Sequence, residues 1–281
     1  MKSLHPNNLH NNDYNFTLLK EKYPKIGNFI VNKFGKETID FSDPIAVKEF
    51  NKALLLTYYN IKYWEFPDTN LCPPIPGRVD YIHYLANLLE DEKNVKILDI
   101  GTGASCVYPL LGNAVYNWDF TGTEIDADSL KIAQKNIDNN NLGSCIELRF
   151  QKDETNILKN LLRSSDSFTA SMCNPPFYKS AEEARGANRR KSRNLGNNAV
   201  RNFAGNSNEL WYVGGEKAFL HTYLYESSLY PKASKWFTSL VSKKENIKSL
   251  ENSSKKLRVT DFKVIPMNQG NKVTRIVCWK F

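Results

Sequence analysis

Apolar and polar positions follow two periods along most of this chain, and together they predict an α/β protein. A β-branched, apolar run of strand length occupies residues 95–100, and further strands are predicted near residues 119–125, 146–150, 168–173, 236–241, 259–265 and 274–279. Segments with apolar residues at helical spacing separate several of these runs. Strands that alternate with helices are typical of a doubly wound sheet. We therefore predict a sheet of seven strands in residues 71–281, with helices over 78–89 and 216–229.

The first 70 residues have a different pattern. Asp43 and Pro44 have the residue types of an N-cap and a first helical position, and apolar residues follow at helical spacing. Residues 1–70 are therefore predicted to form a small, mostly helical appendage. The proline-rich run 71–77 is predicted to be a stiff connector between the appendage and the sheet.

A glycine loop follows the first predicted strand of the sheet. Gly101 and Gly103 come directly after the run 95–100, and glycine there lets the backbone approach a ligand beside a helix N-terminus. Glu124 ends the next strand, where a carboxylate can accept hydrogen bonds from ribose hydroxyls. Dinucleotide and S-adenosylmethionine (SAM) sites share this pattern, but Cys106 stands at the third glycine position of the dinucleotide fingerprint. A dehydrogenase is therefore disfavoured.

The run Asn174-Pro175-Pro176-Phe177 follows the strand predicted at 168–173 and indicates methylation of an amino group on a planar ring. Asn174 offers a side-chain carbonyl, and proline geometry holds the carbonyl of Pro175 in place. Two such acceptors suit the N–H groups of adenine N6, and Phe177 offers a face for stacking. Because attack on a methylsulfonium needs no strong base, positioning carries most of the catalysis. The structural alternative is a Pro-Pro turn that ends a strand.

Composition narrows the class of protein. The chain has 281 residues, a net charge of +8 and five dispersed cysteines without a Cys-x-x-Cys pair. It has no apolar run long enough for a membrane span and no apolar signal core near its N-terminus, so we expect a cytoplasmic protein with reduced thiols. Neither the cysteines nor the four histidines have metal-ligand spacing, and no metal is expected. Cys173 touches the Asn-Pro-Pro-Phe run, but the chemistry requires no covalent step.

A basic segment follows that run. Residues 179–201 contain seven cationic and two acidic side chains, together with several glycines and asparagines. Long irregular segments inside compact domains are often functional, and this one is expected to contact RNA phosphates. The candidate RNA-binding residues are Lys179, Arg185, Arg189, Arg190, Lys191 and Arg193. A solvated surface tract is the alternative.

Several blocks together resemble the bacterial 23S rRNA adenine-N6 methyltransferases. They include Leu4-His5-Pro6, Cys72–Arg78, Asp99–Ser105, Asn174–Phe177, Arg193–Gly196, Gly214-Gly215-Glu216 and Trp236–Ser242. The resemblance spans nearly the whole chain, and its catalytic half is also similar to the eukaryotic enzymes that methylate an adenine in U6 small nuclear RNA.

The resemblance implies a Rossmann-like, SAM-dependent methyltransferase sheet of seven strands with a small N-terminal RNA-binding region. Its implied cofactor contacts, carried over by position, are Arg78, Gly101, Ser105, Glu124, Asp153 and Asn174, beside Gly103 from the loop. Asn174 to Phe177 would hold the target adenine. The implied partner is 23S rRNA, either naked or in a partly assembled large subunit, and the protein is expected to act as a monomer.

Two other functions stay open at this stage. The Asn-Pro-Pro-aromatic run also suits methylation of cytosine N4 or of a protein glutamine. A catalytically silent RNA-binding factor for ribosome assembly would keep the fold without binding SAM. Trp211 and Tyr212 could stack on RNA or belong to the core, and the core is the preferred interpretation.

Overall fold

The computed structural model describes residues 4–183, 186, 210–269 and 272–281. The strands are β1 (Ile30–Lys33), β2 (Lys36–Ile39), β3 (Lys96–Ile100), β4 (Asp119–Glu124), β5 (Ile146–Phe150), β6 (Phe168–Cys173), β7 (Ser234–Val241), β8 (Asp261–Gln269) and β9 (Lys272–Lys280). The α-helices are α1 (Phe16–Lys22), α2 (Pro44–Tyr59), α3 (Ile75–Leu88), α4 (Val107–Tyr116), α5 (Ala127–Asn139), α6 (Gly215–Leu229) and α7 (Lys244–Lys256). The seven strands predicted from apolar runs are therefore confirmed.

The main sheet has seven strands in the order β5-β4-β3-β6-β7-β9-β8. The pairs from β5 to β7 are parallel, whereas β9 runs antiparallel to both β7 and β8. The chain moves outward from β3 to β5 and then returns to place β6 on the other side of β3. Such a reversal opens a crevice at the carboxyl ends of the strands, where ligands bind in open α/β sheets.

Successive residues of the strands feed two cores, one on each face of the sheet. Ile97 belongs to the core beneath α3, α4 and α5, whereas the next residue, Leu98, belongs to the core beneath α6 and α7. Trp236 and Phe237 on β7 divide in the same way. This alternation is the period of two that places neighbouring side chains on opposite faces, and burial on both faces explains why the central strands carry apolar residues at neighbouring positions.

The N-terminal region contains more than helices. Besides α1, α2 and two short 3-10 segments, β1 and β2 form an antiparallel hairpin, which the prediction of a mostly helical appendage missed. Asp43 caps α2 as predicted, since its carboxylate accepts from the backbone N–H of Ile45 at 2.9 Å. Leu19, Ile39 and Leu54 lie in the same core as the sheet. The boundary at residue 70 stays a prediction, but the two parts share one apolar interior.

The connector predicted over residues 71–77 is only partly irregular. Helix α3 begins at Ile75, three residues before the predicted start, and Pro76 and Gly77 lie in its first turn. Proline is tolerated there because the first N–H groups of a helix have no partner within it. Within the described part of the chain, no helix is long and apolar enough to span a membrane, and no cluster of three acidic, histidine or cysteine side chains could hold a metal.

Candidate active site

A cavity of about 180 Å³ lies at the carboxyl ends of β3, β4 and β6, at the point where the strand order reverses. It brings together residues that are far apart in sequence. The predicted site residues that line it are Arg78, Gly101, Gly103, Ser105, Glu124, Asn174 and Pro176. Pro175, Phe177 and Asp153 do not line it. The roles given to all these residues stay predictions, but seven of them share one space.

The loop after β3 takes a backbone shape that requires glycine. Gly101 and Gly103 have φ angles of +73° and +66°, in the region that side chains with a Cβ rarely adopt. A Cβ built on Gly101 would meet no atom within 4 Å, so the backbone there faces open space. Cys106, at the third glycine position, also has a positive φ of 48° and is fully buried before α4.

Glu124 holds this loop in place through its carboxylate. One oxygen accepts from the N–H of Gly103 at 2.9 Å, and the other accepts from Ile125 and Asp126 at 2.8 and 3.1 Å. The side chain is only 6 % exposed. Glu124 therefore ties the end of β4 to the glycine loop, while it also lines the cavity where a ribose acid was predicted.

The N-terminal region braces the same loop from the opposite side. Trp64 Nε1 donates to the carbonyl of Ser105 at 2.8 Å. Asn136 on α5 donates to the carbonyls of Ala104 and Glu65 at 3.1 and 2.8 Å, and it accepts from the N–H of Glu65 at 2.8 Å. The segment before the connector is thus hydrogen-bonded to the loop that borders the cavity.

Arg78 enters the cavity from helix α3. Its guanidinium donates to the hydroxyl of Tyr108 at 3.1 Å and lies 5.5 Å from the centre of that ring. Burial raises the pKa of Tyr108 to about 12, although the Arg78 charge opposes the shift, so the hydroxyl stays neutral. Because this partner is neutral, the Arg78 charge is not neutralised by it and can pair with the carboxylate of a bound ligand.

Asp99 is buried behind the glycine loop. It is 1 % exposed, and neither carboxylate oxygen has a hydrogen-bond partner among the described residues. Burial raises the pKa of Asp99 to about 7, and Glu124 adds to the rise, while Thr102 and Arg78 oppose it. Its carboxyl therefore keeps its proton to a much higher pH than an ordinary aspartate does.

The Asn-Pro-Pro-Phe run leaves β6 and is fixed by a short ladder of backbone hydrogen bonds. The N–H groups of Phe177 and Tyr178 both donate to the carbonyl of Leu210, at 3.1 and 3.0 Å. The N–H of Tyr212 donates to the carbonyl of Tyr178 at 3.0 Å, and Tyr178 forms an isolated parallel bridge with Trp211. The motif is therefore positioned by its backbone.

Cys173 stands next to Asn174 but is not poised as a nucleophile. Its side chain is 1 % exposed, and burial raises its pKa well above that of an ordinary thiol. A thiol in this state is unreactive, since the thiolate is the nucleophilic form. This agrees with the prediction that the chemistry proceeds without a covalent step.

Asp153 is the predicted cofactor contact that the structure places outside the cavity. Its carboxylate accepts from the N–H and hydroxyl of Thr155, at 3.0 and 2.6 Å, and from the Asn156 side chain at 2.7 Å. These local bonds hold the carboxylate within its own turn. The neighbouring residues that line the cavity instead are Gln151, Glu154, Asn156 and Ile157.

Glu226 on α6 supports this wall of the cavity. Its buried carboxylate accepts from the N–H groups of Ile157, Leu158 and Lys159 at 2.6–3.2 Å. No motif in the sequence pointed to this residue, because a glutamate within a helix usually faces solvent.

Two aromatic residues line the cavity, although the sequence favoured a place in the core for both. Trp211 and Tyr212 both border it, together with Phe219. Trp211 Nε1 is shielded from solvent and has no hydrogen-bond partner among the described residues. The signal in the sequence was weak, since only the proximity of these residues to Gly214-Gly215 set them apart from ordinary core aromatics.

Of the predicted RNA-binding residues, Lys179 is described and exposed. It lies next to the start of α6, since a Cβ on Gly215 would be 2.9 Å from Lys179 Cγ and 3.5 Å from its backbone nitrogen. Arg185, Arg189, Arg190, Lys191 and Arg193 lie outside the described residues, as does the block Arg193–Gly196.

The seven-stranded sheet, with its glycine loop after β3 and acid at the end of β4, defines an α/β methyltransferase. More specifically, the chain belongs to the RNA methyltransferase family, which it matches over residues 1–281. It is 48% identical to the ribosomal RNA large subunit methyltransferase F of Flavobacterium johnsoniae, over 99% of this chain and 93% of the relative. The enzyme of the same name from Pseudoalteromonas translucida is 47% identical, with the same coverage of both chains.

Solved structures agree with this assignment. The hMettl16 catalytic domain in complex with MAT2A 3′UTR hairpin 1 superposes with a TM-score of 0.87 at 30% identity, over 100% of this chain and 96% of that one. The N-terminal domain of human METTL16 in complex with SAH superposes with a TM-score of 0.78 at 27% identity, over 100% of this chain and 99% of that one. The Rossmann-like fold and the expected family are confirmed.

The residues of the cavity fit SAM, the cofactor of this class of enzyme. The open space beside Gly101 admits a ligand against the backbone. Glu124 offers a carboxylate to ribose hydroxyls, and Arg78 offers a cation to the amino-acid carboxylate. Glu124 and Arg78 thus suit two polar parts of the cofactor, the ribose hydroxyls and the carboxylate, while the Gly101 backbone leaves room for it.

Proposed function

We propose that this protein transfers a methyl group from SAM to the N6 amino group of an adenine in large-subunit (23S) rRNA. The observation that carries the proposal is that Asn174 and Pro176 line the same cavity as the glycine loop and Glu124. A methyl donor and an amine acceptor must meet in one space for direct transfer. The relatives named ribosomal RNA large subunit methyltransferase F support ribosomal RNA as the substrate.

Asn174 and Pro175 act on the amine through acceptors. The side-chain carbonyl of Asn174 and the backbone carbonyl of Pro175 each accept from one N–H of the target amine. Those bonds draw the nitrogen lone pair out of conjugation with the ring and orient it for attack. Asn174 has no hydrogen-bond partner of its own among the described residues, so its carbonyl is available. When bound, SAM supplies the electrophilic methyl group.

No charged base belongs to the motif, and none is required. The amine becomes acidic only after it has gained the methyl group, so its proton then leaves to water. The neutral thiol of Cys173 beside the motif adds no competing nucleophile. Catalysis rests on position and orientation, which can contribute large factors without any proton transfer by a side chain.

The target adenine must leave its stack to reach this cavity, as bases do in enzymes that modify them. Phe177 is half-buried at the end of the motif and lies outside the cavity lining, so in this proposal the adenine stacks on it where the base enters beside Asn174 and Pro176. The aromatic rings of Trp211 and Tyr212 border the same cavity and shield the reaction from water.

Phosphate contacts come from the basic segment that follows the motif. Replacing Arg189, Arg190, Lys191 and Arg193 together by glutamine should weaken RNA binding. Each phosphate that is no longer neutralised should reduce the slope of log affinity against log salt by about 0.7 to 0.9. Titration of a 23S rRNA transcript at several salt concentrations measures that slope, and SAM affinity serves as the control. An unchanged slope would assign the segment to the solvated surface.

We further propose that the protein acts as a monomer in the bacterial cytoplasm on 23S rRNA, naked or in a partly assembled subunit. The organisms of the matched relatives support a bacterial setting. Sedimentation of the purified protein with and without RNA tests the monomer.

The decisive experiment is mass-spectrometric nucleoside mapping of large-subunit rRNA from cells with and without the gene. The expected result is loss of one N6-methyladenosine, restored by the wild-type gene and not by Asn174→Ala. An unchanged inventory of N6-methyladenosine would contradict the proposal. Calorimetry with SAM separates the remaining alternative, since a catalytically silent assembly factor would bind none.

A further inference from the structure

The hairpin of β1 and β2 presents an aromatic side chain at its tip. Four residue pairs join its strands, from Ile30 opposite Ile39 to Lys33 opposite Lys36. The turn between them is Phe34-Gly35, with φ angles of +54° and +77°. Phe34 is as exposed as in an extended chain, at 105 %. Its ring therefore contributes nothing to the core.

The choice of phenylalanine at this position works against the local structure. Two-residue hairpin turns with positive φ at both positions favour Asn-Gly and Asp-Gly, because those residues tolerate the left-handed region. A bulky residue with positive φ is uncommon. The protein thus holds Phe34 in a backbone conformation that asparagine would adopt more readily.

The pair that closes the turn is also unfavourable. Lys33 and Lys36 lie directly opposite each other across the hairpin, and like charges at such positions destabilise a pair of strands. The acidic residue next to them, Glu37, is engaged by Lys20 at 2.9 Å. The tip therefore combines an exposed ring with two adjacent cations.

The hairpin is nevertheless anchored to the body of the protein. Ile39 is 1 % exposed and belongs to the core shared with the sheet. The Lys20–Glu37 pair and an ion pair between Lys36 and Asp13 at 3.1 Å connect it to the preceding segment. The Phe34 ring therefore projects from a hairpin that is packed against the rest of the protein.

We propose that this tip is an RNA contact in which Phe34 stacks on an unpaired base while Lys33 and Lys36 contact the flanking phosphates. Aromatic faces and cations are the two elements that single-stranded nucleic acid requires of a protein. Local choices that disfavour the fold are expected where they serve a function. The inference rests on the proposed function, since it takes RNA as the partner, and it adds a contact separate from the residues of the cavity.

The substitution Phe34→Asn tests the stacking in two directions at once. Asparagine suits the turn, so the Tm should rise. Loss of one stacked base should raise the Kd for an unmodified 23S rRNA transcript by roughly 5- to 150-fold. The affinity for SAM should not change. Phe34→Trp should retain RNA binding, and a base stacked on the new indole should quench its fluorescence.

The substitution Lys33→Glu tests the cations. It places opposite charges across the hairpin next to Lys36, so the Tm should rise here as well. RNA affinity should fall, and the salt slope should decrease by about 0.7 to 0.9 for each phosphate that the tip no longer neutralises.

Tyr225→Ala is the matched control for Phe34→Asn, because Tyr225 is an aromatic residue that is 55 % exposed on α6. It should leave RNA affinity at the wild-type value.

The outcomes separate this inference from the function on which it rests. If Phe34→Asn binds the transcript as tightly as the Tyr225→Ala control while the wild type methylates it, stacking at the tip is wrong and the proposed function stands. If Phe34→Asn loses both Tm and RNA affinity, the residue is structural and the inference is wrong. A wild-type protein that binds no rRNA would overturn both.

Discussion

The two halves of the cavity are built in different ways. In the cofactor half, the glycine loop is hydrogen-bonded both to β4 and to the N-terminal region: Thr102 N–H donates to the Thr123 carbonyl at 2.8 Å, Gly103 donates to Glu124, and Trp64 donates to Ser105. In the substrate half, the bonds from Phe177 and Tyr178 to the described residues join backbone groups. There, the side chain of Asn174 and the indole N–H of Trp211 have no partner among the described residues.

This difference indicates which contacts hold each half of the cavity in its shape. The loop of the cofactor half is held by bonds within the protein, so SAM meets a loop that is already shaped. Among the described residues of the substrate half, the shielded Trp211 Nε1 has no partner, and such a group is costly unless a ligand satisfies it. Variants in the substrate half should therefore change chemistry with little effect on stability, whereas variants in the cofactor half should change binding and stability together.

Asn174→Ala is the strongest test of the substrate half. Because it removes an acceptor for the amine, it should lower the single-turnover rate on a 23S rRNA transcript by about 10²-fold or more. The Tm and SAM affinity should change little, since the Asn174 side chain has no hydrogen-bond partner among the described residues. Asn174→Asp keeps an acceptor and should be the milder change. An alanine variant that methylates at nearly the wild-type rate would remove Asn174 from the mechanism.

Glu124→Ala tests the cofactor half. It removes three hydrogen bonds to backbone N–H groups and the predicted ribose contact. The Kd for SAM should rise roughly 10- to 150-fold, since a bond to a charged group contributes about 1.5–3 kcal/mol. The Tm should fall, and RNA binding should persist. Glu147→Ala, an exposed acid on β5, controls for loss of charge. Equal loss of SAM and RNA affinity would indicate unfolding instead.

Trp64→Phe tests the cofactor half with a smaller change, at a residue of the N-terminal region that contacts the glycine loop. It removes the hydrogen bond to the Ser105 carbonyl, which is worth about 0.5–1.5 kcal/mol, together with part of a buried ring, a loss of volume that the control variant shares. SAM affinity should fall roughly 2- to 10-fold, as measured by calorimetry, because the loop loses one support. Trp118→Phe is the control, as it changes another buried tryptophan. If both variants bind SAM equally well, the brace does not matter for the cofactor.

Asp99→Asn tests a buried carboxylate of the cofactor half. Unlike the glycine loop, this carboxylate has no hydrogen-bond partner among the described residues. The pKa of Asp99 is about 7 in the folded protein, against about 3.9 in an unfolded chain. Between these values the folded state binds the extra proton, so stability should decline as pH rises from about 4 to 7 and then level off. The variant lacks this decline. Its Tm relative to wild type should therefore be a few degrees higher at pH 8 than at pH 5, and a constant difference would refute the raised pKa.

Much of the fold could be predicted because the main sheet is buried on both faces. Runs such as Val95–Ile100 are mostly apolar and include Ile97 and Leu98 at successive positions, as a strand between two helical layers requires. The hairpin of β1 and β2 gave no such signal. Its strands carry Asn32, Lys33, Lys36 and Glu37 among few apolar residues, and Phe-Gly is not a usual turn sequence.

The site was predicted only as far as backbone motifs determine it. The glycine loop and the end of β4 follow from residue types at fixed spacing. The direction of the Asp153 carboxylate depends instead on Thr155 and Asn156, and the position of Trp211 depends on its pairing with Tyr178. The pairing of Trp211 with Tyr178 joins segments far apart in the chain, so no local pattern predicts it. The Asp153 bonds lie within one turn, and the Asp-x-Thr-Asn run could have predicted them, since aspartate commonly bonds the backbone two residues on.

The position of β9 has a consequence for the folding of the protein during its synthesis. This strand follows all the other described strands in the chain, yet it lies between β7 and β8 and carries Trp279, which is fully buried. The sheet therefore cannot close while residues 272–280 remain inside the ribosomal exit tunnel. A nascent chain stalled earlier would expose both cores to chaperones and proteases, so only molecules whose translation has passed β9 can become active.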